Sequence, residues 1–452
     1  MRGAARLAAP SLHRGGRAHG DGGARQHLAS ARRSAPRRVR PRDRHRLAHR
    51  RGPAVSARRR VRGGVLTGYA VGVACALFPN QLPRTVLTQI AVCLILGGLG
   101  ALAGWAVVRR RTPSDGGGRA ALYLLPVALV GWLLWQNHLR SAAGVDPLGP
   151  LSFAALVCAV TAAPFAAAAL RPVRARAAAA AVAGVAVLGG IAWPATATPA
   201  ETAAYAERFA GIESSAPGVR AYASLGDGDS PAARAAVAVD RLVAAGGLSR
   251  RAVVVAVPTG SGWVDPHFVR GVEEALHGDS AIVAVQYTEM PSWQSFVLHR
   301  DAAAASTAAL IDELHRRAPS TPLRVYGQSL GTVGVLAAQR RAAELHAPVA
   351  ATLQVGTPAG VPVTGPAQLN ASDPVGIWSS RLLVTPPARA ASGSGRATPR
   401  PPWLPVLSFV QATVDLLGAT APPPGLGHRY DERQGSALVA DLVAQESLPT
   451  AA

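Results

Sequence analysis

The hydropathy of the chain changes character three times. Residues 1–62 are polar and basic, 63–196 form a succession of long apolar stretches, 197–248 read as a polar, helix-like connector, and 249–452 alternate short β-branched runs with amphipathic ones. A helix that crosses a bilayer needs about 20 consecutive apolar residues. Five stretches fit: 63–82, 86–108, 120–139, 151–170 and 177–195, the first interrupted near its end by Pro79 and Pro83. Small residues dominate them, which suits close helix contact in lipid.

Beyond residue 249 the period shortens. The runs 253–257, 281–287, 323–326 and 349–355 are strand-like, 302–316 and 332–346 have helical spacing, 367–369 is a weaker strand and 404–417 an amphipathic helix. Short apolar strands separated by helices predict a mainly parallel sheet covered on both faces. The predicted fold is therefore α/β, a mainly parallel sheet preceded by an all-α transmembrane bundle of about five helices. The domains divide as a tail (1–62), a transmembrane domain (63–196), a connector (197–248) and an α/β domain (249–452).

Charge sharpens this division. Residues 1–199 carry 28 Arg against 4 Asp, whereas 200–452 carry 19 Arg against 21 acidic residues. The first 62 residues hold 19 Arg and no Phe, Trp or Tyr, a composition that predicts disorder. Nucleic-acid binding needs stacking aromatics or a folded basic face beside the charge, and neither accompanies this tail. Arg58, Arg59, Arg60 and Arg62 precede the first span, Arg109, Arg110 and Arg111 follow the second, and Arg171, Arg174 and Arg176 separate the fourth from the fifth. Arginine clusters on alternate connections place the N-terminus in the cytoplasm and everything after Pro194 outside. Reading the first span as a cleaved signal leaves four spans and exports the same half. The spans contain no Asp, Glu, Lys or Arg, so they read as an anchor rather than a transport path. Cys75, Cys93 and Cys158 all lie in the apolar half; the other half has neither a disulfide nor a thiol nucleophile, and no Cys/His spacing suggests a metal.

The candidate chemistry lies at Gly327-Gln328-Ser329-Leu330-Gly331, a Gly-x-Ser-x-Gly pattern directly after a strand-like run and before a helical one. A serine on such a turn projects its hydroxyl away from the sheet, while the new helix directs backbone N–H groups at a developing oxyanion. The hydroxyl needs a base, and the base an orienting acid, in the chain order serine, acid, histidine. Downstream of Ser329 stand His346, at the end of the following helix, and His428, in a glycine-rich loop near the C-terminus where the base belongs. For the acid the turn residue Asp373 is favoured, with Asp415 and Asp431 as fallbacks. The oxyanion hole is expected from the N–H of Leu330 and one from the loop after 253–257, at Thr259 or Gly260. That glycine-rich loop has the look of a phosphate loop, but the chain contains no lysine to complete one. No cofactor is expected.

Several separated segments resemble an actinobacterial family of membrane-anchored α/β-hydrolases over about residues 63–445. They are Pro79-Asn80-Gln81-Leu82-Pro83-Arg84, Thr259-Gly260-Ser261-Gly262-Trp263-Val264-Asp265, Gln286-Tyr287 with Pro291-Ser292-Trp293-Gln294-Ser295-Phe296, the serine turn, Ala371-Ser372-Asp373-Pro374-Val375 and Gly425-Leu426-Gly427-His428-Arg429-Tyr430. The resemblance implies a serine hydrolase of undefined substrate with Ser329, Asp373 and His428 at the matching triad positions. Two features depart from the family pattern: Gln328 replaces a usual Glu, and the segment between Thr357 and Asp373 is short. The expected function is a membrane-tethered serine esterase or lipase with its catalytic domain outside the membrane, acting on a small-molecule or lipid ester. The short segment motivates an alternative, a catalytically silent hydrolase-like scaffold of the cell envelope. A permease with a fused regulatory domain draws only on the five spans.

Overall fold

Every residue of three consecutive strands is buried, as expected when helices cover both faces of a parallel sheet. These are β2 (Ala252–Val257), β3 (Ser280–Val285) and β4 (Leu323–Gln328). The structure, a computed structural model, describes residues 61–110, 117–169, 199–290, 300–387 and 393–446. The predicted fifth span at 177–195, the tail 1–60 and the segment 291–299 lie outside the described residues.

With β1 (Val219–Ala223), β5 (Val349–Val355), β6 (Ala367–Asn370) and β7 (Gly393–Ser394), the strands run β1-β3-β2-β4-β5-β6-β7, every adjacent pair parallel. Side chains alternate across a strand, so each strand feeds two cores. Val253, Val255 and Val257 join Val283 and Val325 under Ala235, Val239, Leu310, Ile311 and Val335. Ala252, Val254, Ala256 and Ile282 face Phe268, Val269 and Val272 on the opposite side. There Tyr326 stacks on Phe268 with ring centroids 3.5 Å apart. Fully burying one such side chain stabilises the fold by about 1.5–3 kcal/mol.

The segment 197–248 differs from its sequence reading as a connector. It supplies α5 (Pro199–Ala210), edge strand β1 and α6 (Pro231–Ala244). β1 pairs with β3 in the register Val219↔Ala281 to Ala223↔Val285. Five residues at a sheet edge carry little periodicity of their own, and this strand is specified by a partner far along the chain.

Toward the N-terminus, α1 (Val61–Ala76), α2 (Val86–Arg110), α3 (Gly117–Ala143) and α4 (Pro150–Ala169) occupy four of the five predicted spans. Among the described residues only α2 is both long and apolar enough to cross a bilayer, so the five-span bundle is not what the structure displays. The physical reasons are local: α1 ends at Ala76, ahead of Pro79, and α3 ends in the polar run Gln136, Asn137, His138 and Arg140. α1 and α2 pack backbone against backbone. A Cβ on Gly68 would lie 2.1 Å from the Gly100 carbonyl oxygen, and one on Gly100 equally close to that of Gly68, so only glycine fits the crossing.

The remaining helices are α7 (Pro266–Ala275), α8 (Arg300–Arg317), α9 (Gly331–Leu345), α10 (Leu407–Leu417), α11 (Arg433–Leu438) and α12 (Ala440–Glu446).

Candidate active site

Between β4 and α9 the chain must reverse within two residues. Ser329 sits at φ 54°, in the left-handed region, where a residue with a Cβ is strained by about 1–2 kcal/mol. The strain is held in place from both sides. The Ser329 N–H donates to the Val355 carbonyl at 2.9 Å, and the Ser329 carbonyl accepts from the Thr332 N–H at 3.1 Å and the Thr332 hydroxyl at 2.6 Å. The flanking glycines are required by contact. A Cβ on Gly327 would lie 2.3 Å from the Gly331 carbonyl oxygen, and one on Gly331 would lie 2.5 Å from that of Val257. Both obstacles are backbone. Gly327→Ala is therefore expected to displace the first turn of α9 and lower turnover by at least about 100-fold, the scale of an ångström-level misplacement. Kinetics together with a thermal melt check this, since a lowered melting temperature with unchanged turnover of the folded enzyme would contradict it.

Asp373 caps a short 3₁₀ turn, its Oδ1 accepting from the Val375 N–H at 2.9 Å. Its Oδ2 takes two further hydrogen bonds, one shared with Nδ1 of His428 at 2.7 Å and one from the Tyr430 hydroxyl at 2.6 Å. Asp373 is buried, whereas the His428 side chain remains 11 % exposed. The ring lies against the end of β5. A Cβ on Gly356 would approach His428 Cε1 to 2.6 Å, and Gly356 directly follows the residue whose carbonyl accepts the Ser329 N–H. The sheet thus brings Ser329, Asp373 and His428 to one edge, at the C-terminal ends of β4, β5 and β6. His428 Nε2 is buried without a hydrogen-bond partner among the described residues, so it is available to a proton from that edge.

Two opposing effects set the basicity of His428. Burial disfavours the imidazolium, but the charge of Asp373 and its hydrogen bond outweigh burial, with a smaller contribution from Asp265, and hold the pKa above the ordinary histidine value. Burial and the same carboxylate push the Tyr430 hydroxyl far above the usual tyrosine range, so it stays a donor to Asp373.

The fallback residues are placed elsewhere. His346 is exposed at the C-terminal end of α9, 15 residues or about 22 Å from the serine turn. Asp431 pairs with Arg433 at 2.6 Å. Asp415 is buried in an ion pair with Arg84 at 2.8 Å.

The loop after β2 differs from its expected role at Thr259. The Thr259 N–H donates to the Trp263 carbonyl at 2.9 Å, and Gly262 N–H to the Thr259 carbonyl at 2.9 Å. The loop closes on itself, so the Thr259 amide is committed within it and is not free for an oxyanion. Three side chains hold the loop: Tyr222 OH donates to Gly262 O at 2.8 Å, Gln286 Nε2 to Ser261 O at 2.7 Å and Tyr287 OH to Pro258 O at 3.0 Å. Leu330 stands at the head of α9, where backbone N–H groups have no acceptor within the helix. Sequence reasoning gave Tyr430 no role, although it closes the 425–430 segment that carries the resemblance. It also missed buried Asp265, which caps α7 through the His267 N–H at 2.9 Å and accepts from Gln434 Nε2 at 3.0 Å. Burial raises the Asp265 pKa, opposed by those hydrogen bonds. Among the described residues no cluster of His, Cys, Asp and Glu could hold a metal ion.

Comparison with known proteins identifies a family for the sheet domain. The profile of an alpha/beta-hydrolase family, Abhydrolase_9, matches residues 219–366 and 367–451. Among solved structures, one similar chain is a serine hydrolase without a lid from Xanthomonas campestris. It is 16 % identical over 45 % of this chain and 85 % of its own length, with a TM-score of 0.24. No curated protein matches.

Proposed function

The chain belongs to the alpha/beta-hydrolase family, and from that premise we propose that it is a membrane-anchored serine hydrolase that cleaves acyl esters. Ser329 Oγ attacks the ester carbonyl as His428 Nε2 takes its proton. The oxyanion forms beside the Leu330 N–H. His428 then returns the proton to the departing alcohol, leaving an acyl-enzyme on Ser329, and a water activated by the same ring resolves it. Asp373 orients the ring and stabilises its charged form. The observation that carries this reading is the histidine with one nitrogen fixed by a buried carboxylate at 2.7 Å and the other buried and unpartnered among the described residues, on a ring packed against Gly356 at the end of β5.

Extracytoplasmic placement draws support from where the basic residues lie. The catalytic domain touches the N-terminal helices at one end, through Arg84 to Asp415 and through Arg396 Nη1 to the Ala143 carbonyl at 3.0 Å. Arg62, Arg109 and Arg110 lie at the other end, where Gly64 packs against Gly104 and Val108. Basic ends tend to face the cytoplasm, which puts the hydrolase on the far side, within reach of lipid esters.

Fluorophosphonate labelling of membranes containing the full-length protein tests the reading. The adduct is expected on Ser329 and is mapped by peptide analysis. A chain that remains unlabelled, or that carries the adduct on another serine, rules the reading out.

A further inference from the structure

Resting on that reading, we propose that the N-terminal helices position the catalytic base, through Arg84 in the loop between α1 and α2 acting on Asp415 of α10. Arg84 and Asp415 are positioning residues, and Asp415 lies four residues of chain before Ala419, whose carbonyl holds the His428 backbone.

The coupling is a continuous chain of short contacts. Arg84 Nε and Nη2 both donate to Asp415 Oδ1, at 3.0 and 2.8 Å, and Nη2 also donates to the Gln411 carbonyl at 3.0 Å. The remaining acceptor capacity of Asp415 is filled from the same loop, by Asn80 Nδ2 at 3.1 Å on Oδ1 and the Gln81 N–H at 2.8 Å on Oδ2. Gln411 Nε2 reaches back to the Cys75 carbonyl at 2.7 Å. Arg84 is in turn fixed within the helical domain. Its N–H donates to Gln136 Oε1 at 3.0 Å, Gln136 Nε2 donates to Asn80 Oδ1 at 2.7 Å, and Arg140 Nη2 donates to the Arg84 carbonyl at 3.0 Å. Asp415 therefore sits in a socket built by the loop between α1 and α2 and braced by α3.

From Asp415 the path to the site is brief. Its carbonyl accepts from Gly418 N–H at 3.1 Å, α10 ends at Leu417, and the carbonyl of Ala419 accepts the His428 N–H at 2.7 Å. Gly427 fits beneath that same carbonyl, since a Cβ there would lie 2.4 Å from it. A shift of α10 is transmitted to the His428 backbone because Ala419 is bonded to it directly.

The energetics favour positioning over stability. The Arg84 and Asp415 side chains are 4 % and 1 % exposed. A pair so buried gives up most of its Coulomb attraction to desolvation, and replacing both members by apolar groups of similar volume is often neutral or stabilising. What a buried pair with two charge-assisted hydrogen bonds on one carboxylate oxygen and its other acceptor filled does supply is a fixed register between two elements. The elements registered here are the helical domain and the segment that carries the base.

The test uses the full-length protein in detergent or vesicles, comparing wild type, Arg84→Lys, and the double variant Arg84→Met with Asp415→Leu. The double variant removes the buried charges together, so the fold is retained while the register is lost. The expected result is a 10-fold to 100-fold drop in kcat on a short-chain ester, on the order of that from small misplacements of a catalytic group, with KM changed less than about threefold. Arg84→Lys, which keeps the charge and loses the fork, is expected to fall between. Because loosening separates His428 from Asp373, the charge that raises its pKa weakens, and the acid limb of the rate profile is expected to move to lower pH. The groups that surround the ring, Asp373, Tyr430 and the more distant Asp265, are unaltered by the substitutions. Wild-type kcat and an unmoved acid limb in a folded double variant overturn the proposal. So does a loss of rate that only tracks the folded fraction. If wild type neither turns over ester nor takes up fluorophosphonate, the serine-hydrolase reading fails first and this inference with it.

Discussion

Ser329→Ala is expected to lower kcat by about a million-fold, and adding His428→Ala to it is expected to cost almost nothing more. Both expectations follow from a single proton path. Ser329 stands on the strained turn at the end of β4, and His428, on the same sheet edge, has its Nε2 buried without a partner among the described residues. Removing either residue leaves the other with nothing to act on, so the losses do not multiply. The residual rate is expected at about a thousandfold or more over water, from the Leu330 N–H and substrate binding alone. Steady-state kinetics of the two single variants and the double, on a chromogenic ester, measure this. If His428→Ala costs only a few-fold, or if the two losses multiply, the base lies elsewhere.

Much of this site was legible in the sequence because each part carries a local signature. Gly327 and Gly331 flank Ser329 for steric reasons that any sequence with this turn must satisfy, and the apolar run before it is a strand whichever neighbours it pairs with. Asp373 before Pro374 reads as a turn residue, and the structure makes it the cap of a 3₁₀ turn. What stayed hidden depends on distant partners. Thr259 looks available in the sequence, yet the loop folds back so that Trp263 takes its amide hydrogen. Asp415 has the spacing of a helical residue and the chemistry of a triad acid; only the tertiary fold assigns it to Arg84, more than 300 residues away in the chain. Edge strand β1 was missed for the same reason, since its register is written in β3. Hydropathy likewise marks more spans than the described residues display, because apolar composition gives no account of α1 ending ahead of Pro79 or of the polar residues in the last turns of α3.

Asp373→Asn is expected to lower kcat by about 10,000-fold while leaving the serine turn intact. Oδ1 of Asp373 accepts from the Val375 N–H, which holds the surviving carbonyl on that side and turns the new amide toward His428 and Tyr430. An amide N–H facing Nδ1 forces the ring proton onto Nε2, the atom that must accept from Ser329, so the base is present in the wrong tautomer. The pH profile moves as well. In wild type the proposed mechanism requires neutral His428, so the rate is expected to fall as pH drops through a pKa held above the usual value of about 6.5. Without the carboxylate charge, burial is the dominant influence and favours the neutral ring, so the acid limb of the residual activity moves to lower pH. Tyr430 loses its acceptor in the same substitution, at a cost of about 1–3 kcal/mol for a buried unpaired hydroxyl, and a thermal melt separates that loss from the catalytic one. A variant that keeps the wild-type acid limb would show that some other carboxylate, such as buried Asp265, sets the charge of the ring.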